Sequence, residues 1–159
     1  MQVQLEQKRA LLEKWLERTL ATYPRQTLGF LHDEKDRFRN PVGHTLREGL
    51  ATLLDELTGE MDAAQIRPAM ESIVRLRAVQ DFTPSQAVGF VYLLREILDE
   101  EGEGAGSPAM QKRIDELALL AFDLYMKCRE EIFEIKARAV RRQTYVGERM
   151  AHSPRGEGT

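Results

Sequence analysis

The chain has 159 residues, 42% hydrophobic and 31% charged, which suits one closed core and excludes a chain disordered throughout. A formal net charge of −3 offers no global basic field for nucleic acid, and a lone cysteine, Cys128, excludes an internal disulfide or an all-cysteine zinc site. The start, Met1-Gln2-Val3-Gln4-Leu5-Glu6, lacks a secretion signal, and no apolar run nears the roughly 20 residues that span a bilayer, so a cytoplasmic protein without membrane insertion is expected.

Five helices and no convincing strand follow from apolar periodicity and helix-start residues. The first covers residues 3–22, where Leu5, Leu12, Trp15, Leu16, Thr19, Leu20 and Tyr23 recur at helical spacing before Pro24 ends it. Within residues 26–39, Leu28, Phe30 and Leu31 suit a short helix packed on the core. The second helix starts at Asn40, whose side chain can accept a backbone N–H, with Pro41 at the first helical position. Leu46, Leu50, Leu53, Leu54 and Leu57 form its buried stripe, and Thr58-Gly59 ends it. Asp62 opens the third, with Ile66, Met70, Ile73 and Val74 inward; Pro68 marks either a late start or a distorted first turn.

Thr83-Pro84-Ser85-Gln86 has the pattern of a capping box and starts the fourth helix. Its apolar residues, Ala87, Val88, Phe90, Val91, Leu93, Leu94, Ile97 and Leu98, wrap most of the circumference. Such a helix must be covered on nearly all sides. In a domain this small a second subunit is expected to supply part of that cover, with Phe90, Val91, Leu94, Leu124 and Cys128 at the interface. The acids Asp99, Glu100 and Glu101 crowd the negative end of this helix, which is expected to fray. Ser107-Pro108 starts a long last helix whose stripe runs through Ile114, Leu117, Ala121, Leu124, Cys128, Ile132 and Ile135. Lys136, Arg138, Arg141 and Arg142 follow, and residues 147–159 read as a disordered tail after a single domain over residues 1–146.

No catalytic constellation is recognisable. His32, His44 and His152 stand apart from one another, and neither a phosphate loop nor a nucleophile elbow is present. His32-Asp33-Glu34-Lys35-Asp36 has metal-ligand residue types, but its own lysine and short span favour a solvated turn. No metal or cofactor is expected. His44 reads as a surface histidine bonded to Glu48 one turn on, and Cys128 as a buried small hydrophobe. The basic run near Arg141 fits either a partner contact or a cation-complemented helix end.

Two connections remain: Arg37, Phe38, Arg39 and Asn40, extended by His44, and the later Arg75, Arg77, Gln80, Asp81 and Phe82. On one reading Phe38 and Phe82 anchor helix starts while the arginines pair with Asp36 and Asp81. On the other, both connections meet at one end of the bundle and bind a ligand or partner.

Phe38-Arg39-Asn40-Pro41-Val42-Gly43, and residues 77–90 with Arg77, Gln80-Asp81-Phe82-Thr83-Pro84 and Phe90, resemble the RsbRD N-terminal domain family, as do Trp15 and Tyr23-Pro24. Members are input domains of co-antagonists of the switch kinase RsbT in bacterial stress signalling. The resemblance implies an all-α helical bundle, globin-like without haem, which pairs as a homodimer and carries a long C-terminal helix toward an output domain. Neither a STAS domain nor a kinase domain follows here, so a free-standing, non-enzymatic input module acting on a separate output protein is expected. The alternative is a structural accessory subunit docking on a membrane-bound or redox complex.

Overall fold

The computed structural model describes residues 2–24, 40–102 and 107–152. Six α-helices and no strand occupy them: α1 (Gln2–Leu20), α2 (Pro41–Leu57), α3 (Ala63–Val79), α4 (Pro84–Val88), α5 (Phe90–Glu101) and α6 (Pro108–Ala151). The all-α class and the long last helix are as expected.

Four of the six helix starts rest on the side chain named from sequence. Asn40 accepts from Gly43 N, Asp62 from Ala64 N, Thr83 from Gln86 N and Ser107 from Met110 N. These bonds satisfy amides that the first turn leaves without a partner. Because α3 begins at Ala63, Pro68 lies inside the helix and is not its start. Its missing N–H and its ring disturb the ladder without ending it.

The core is one cluster built around α2, α3 and the first half of α6. All five leucines of the α2 stripe and all four inward residues of α3 are buried. α2 packs most extensively on α3, α3 on α6, and α1 bridges α2 and α5. Gly49 lets α2 and α3 approach closely, since a Cβ there would lie 2.7 Å from Ile73 Cδ1. Trp15, wholly buried, ties α1 to α5 by donating from Nε1 to the Phe90 carbonyl at 2.7 Å. Leu5, by contrast, is exposed, so the buried stripe of α1 is confined to its second half. Arg113 of α6 donates to the Leu57 and Gly59 carbonyls at 2.7 and 2.9 Å, holding the end of α2.

Three sequence expectations change. The fourth predicted helix is two, α4 and α5, separated at Gly89. The acidic end of α5 is paired: Arg18 bonds Glu100 and Lys14 bonds Glu101. Arg18 thereby lowers the pKa of Glu100, and Gly102, with φ of 69°, closes the helix in the left-handed conformation that glycine favours. Finally, α6 continues to Ala151, so residues 147–151 are helical and belong to no disordered tail.

Candidate functional site

Arg77 explains the break in the fourth predicted helix. It lies on the core face of α3, fully buried, with its guanidinium directed at the end of α4. Nε donates to the Ala87 carbonyl at 2.9 Å and Nη2 to the Gln86 carbonyl at 2.7 Å. In an unbroken helix those carbonyls would take the amides of Phe90 and Val91. Both Nη atoms also reach Thr22 Oγ1 at 3.2 Å. Rings enclose the cation: Phe82 at 4.3 Å, Tyr23 and Phe90 each at 5.4 Å from the guanidinium carbon. Burial pulls the pKa of Arg77 down from its ordinary value, with Tyr23 opposing that shift.

Arg77 is therefore not available to an external ligand, and this part of the sequence expectation is corrected. Its donors are engaged by the protein itself, and its partners are neutral oxygens and ring faces. Such a cation is retained where its nitrogens find acceptors and ring quadrupoles offset lost hydration. Three of the aromatic residues that carry the resemblance, Tyr23, Phe82 and Phe90, form its cage.

The other named residues disperse. Arg37, Phe38 and Arg39 lie outside the described residues. Asn40 is buried as the α2 cap, and Gly43 makes room for it, since a Cβ at 43 would lie 2.4 Å from Asn40 Nδ2. His44 Nε2 is 3.1 Å from Glu48, as the spacing predicts. Arg75 pairs with Glu71 at 2.9 Å along the exposed side of α3. Gln80 is exposed and caps the end of α3, its N–H donating to the Arg77 carbonyl.

Asp81 and Phe82 do meet a concave surface. A groove of about 420 Å³ is lined by Asp81, Phe82, Thr83 and Pro84 from the α3–α4 connection and by Tyr125, Met126 and Arg129 from α6. Its two walls are fastened together, because the Tyr125 hydroxyl donates to the Phe82 carbonyl at 2.5 Å. Asp81 has φ of 59°, a left-handed conformation that an aspartate tolerates better than most side chains. Arg129 Nη1 stands 3.9 Å from Asp81 Oδ1, near enough to attract but too far for a hydrogen bond. Sequence reasoning missed the α6 wall. Met126 and Arg129 lie outside the buried stripe, and only the packing of α4 on α6 reveals them.

The residues expected at a subunit interface are core residues of one chain. Phe90, Val91, Leu94, Leu124 and Cys128 are each at most 4% exposed. Within the one chain α1, α4 and α6 pack against α5 and cover its apolar circumference. Burial also raises the pKa of Cys128 above its ordinary value. A different apolar surface is exposed: Leu119, Phe122, Met126, Phe133 and Val140 recur along one side of α6. Beyond Cys128 no residue of α6 is buried through Ala151, roughly 33 Å of helix at 1.5 Å per residue.

An uncharacterized protein of Archaeoglobus fulgidus is 25% identical over 134 residues, covering 81% of this chain and 82% of that protein. No solved structure gives a significant match. The family described as the RsbT co-antagonist protein rsbRD N-terminal domain matches residues 9–140, which include the caps, the Arg77 cage and the groove, and the chain belongs to that family.

Proposed function

We propose that this chain is a non-enzymatic, cytoplasmic signalling input module of a stress or regulatory pathway, working through protein–protein contacts. Family membership supports the signalling role. The observation that carries the mechanism is the division of α6: its buried residues all lie between Ile114 and Cys128, whereas residues 129–151 include none and keep large apolar side chains exposed. A helix built this way couples the packing of a domain to a surface that another protein can read.

The input side is the groove, because it touches α6 at Tyr125, Met126 and Arg129, where the helix leaves the core. An occupant that contacts both walls favours the α6 position it fits best, which is a population shift driven by differential contact. The output side is the exposed face through Phe133 and Val140, open to a second copy and to a separate output protein. Pairing of two copies there uses residues other than those expected from sequence.

The test combines light scattering with capture from the native cytoplasm, using the tagged full chain and its Phe133→Glu/Val140→Glu variant. The expected result is a dimer and a specific retained partner for the native chain, both lost in a variant that stays folded. A native chain that is monomeric at micromolar concentration removes the dimer from this reading. Retention of the same proteins by both chains removes the output role of α6.

A further inference from the structure

The groove has an internal chemical asymmetry that specifies an occupant. Its apolar and aromatic lining comes from Phe82, Pro84, Tyr125 and Met126. Phe82 is fixed from behind by the Arg77 cation and by the edge of Tyr23, with ring centroids 5.2 Å apart. Tyr125 is fixed by its bond to the Phe82 carbonyl. Thr83 is occupied as the α4 cap. The charged side chains left to meet a ligand are one cation and one anion close together, Arg129 and Asp81.

These two are not equivalent. The Asp81 side chain is 90% exposed, whereas that of Arg129 is 44% exposed and lies along the α6 wall. Their separation of 3.9 Å leaves the guanidinium without a hydrogen-bonded carboxylate in that pair. So exposed a pair is weak, and an anion brought in by a ligand can replace Asp81. The planar guanidinium is suited to accept such a head group through two parallel N–H bonds.

We propose that the groove binds a small amphiphile bearing one anionic head group, carboxylate or phosphate, with a short apolar body. Arg129 takes the head, and Phe82, Pro84, Tyr125 and Met126 take the body. A volume of about 420 Å³ is within the range of small-ligand clefts and suits a short chain or single ring system. Occupancy replaces the ion pair between the α3–α4 connection and α6 by a ligand touching both. This deepens the proposed input role and rests on it only for the consequence, since binding itself can be measured without reference to signalling.

The experiment titrates the full-length, isotope-labelled chain with sodium octanoate, octyl phosphate and octanol, following amide shifts. Octanoate or octyl phosphate is expected to bind at one site, with shifts concentrated at residues 81–84 and 125–129. Octanol is expected to bind at least tenfold more weakly. Arg129→Gln should lower octanoate affinity at least tenfold, Arg129→Lys by less, and Met126→Trp should block the groove while the fold persists. A carboxylate-only or phosphate-only response selects the head group within the proposal. Equal affinity for octanol and the anions, unchanged affinity in Arg129→Gln, shifts elsewhere, or no saturable binding by the native chain would each overturn it. Light scattering with and without the ligand separates the two ideas: binding without any change in association or partner capture leaves this site standing and removes its link to the input role.

Discussion

The two halves of α6 invert the usual relation between polarity and burial. Around the first half, the body of the domain encloses an arginine, Arg77, among Tyr23, Phe82 and Phe90. Along the second half, Phe133, Ile135, Val140 and Met150 stand in solvent. The body can hold a charge because each guanidinium nitrogen of Arg77 finds an oxygen, and because α4 and α5 part at Gly89 to supply two of them. The exposed half has apolar side chains that no described part of the chain covers. On the proposed function, packing in the body would hold the helix while the exposed apolar side chains would offer a contact surface, and one continuous helix carries both.

The largest test of this contrast is Arg77→Ala. It leaves the Gln86 and Ala87 carbonyls unsatisfied and opens space between three rings, for an expected loss of about 3–5 kcal/mol. Thermal melts should show a midpoint drop of roughly 6–20 °C in a domain of this size, and urea melts a lower midpoint concentration. Arg77→Lys keeps charge but not the planar fork, so its loss should fall between native and alanine. A melt unchanged by Arg77→Ala would mean that the cage does not hold the body together.

Trp15→Phe comes next. It keeps an aromatic ring beside Phe90 but removes the Nε1 bond to the Phe90 carbonyl, for an expected loss of about 1–3 kcal/mol. That bond and the Arg77 bonds hold opposite sides of the same helix break. A double variant should therefore depart from additivity, and simple addition would show that the two contacts act apart.

Much of the body is legible in the sequence, and the part that is not has a common cause. Asn40, Asp62, Thr83 and Ser107 announce their helices because a cap bonds within its own first turn, so local spacing is enough. The stripes of α2 and α3 are read from periodicity alone. The break at Gly89 is not, since the backbone there stays helical, with φ of −59°, and what interrupts the ladder is a side chain from another helix. Apolar wrapping around Phe90 and Leu94 thus looks like a demand for a second copy when the chain meets it internally. Of the ten residues proposed as a site, Asp81 and Phe82 reach the groove; its α6 wall could be found only from the packing of α4 on α6.

Tyr23→Phe examines the edge of the cage. The Tyr23 hydroxyl is buried without a hydrogen bond of good geometry, and burial raises its pKa above the ordinary phenol value near 10. Arg77 opposes that rise without cancelling it. A raised folded-state pKa means stability that is fully present below pH 10 and declines as pH increases through the folded value. The phenylalanine variant should match the native chain within about 1 kcal/mol at pH 7. Above pH 10 it should lose less stability than the native chain, measured as the difference between their urea midpoints. A steeper alkaline loss in the variant would contradict the burial of this hydroxyl.

The smallest expected change in folding belongs to the arm, and it is the sharpest comparison because both sites lie on α6. Leu124→Ala removes a core side chain that is 2% exposed and should cost about 2–5 kcal/mol. Phe133→Glu alters a residue 74% exposed and should change folding stability by no more than about 0.5 kcal/mol. Nine positions apart on one helix, these substitutions separate a residue that holds the domain from one that can only face outward. If Phe133→Glu instead destabilises the folded chain at concentrations where light scattering shows a monomer, the exposed half is packed in solution against its own protomer, and it cannot serve as the surface that carries the signal away.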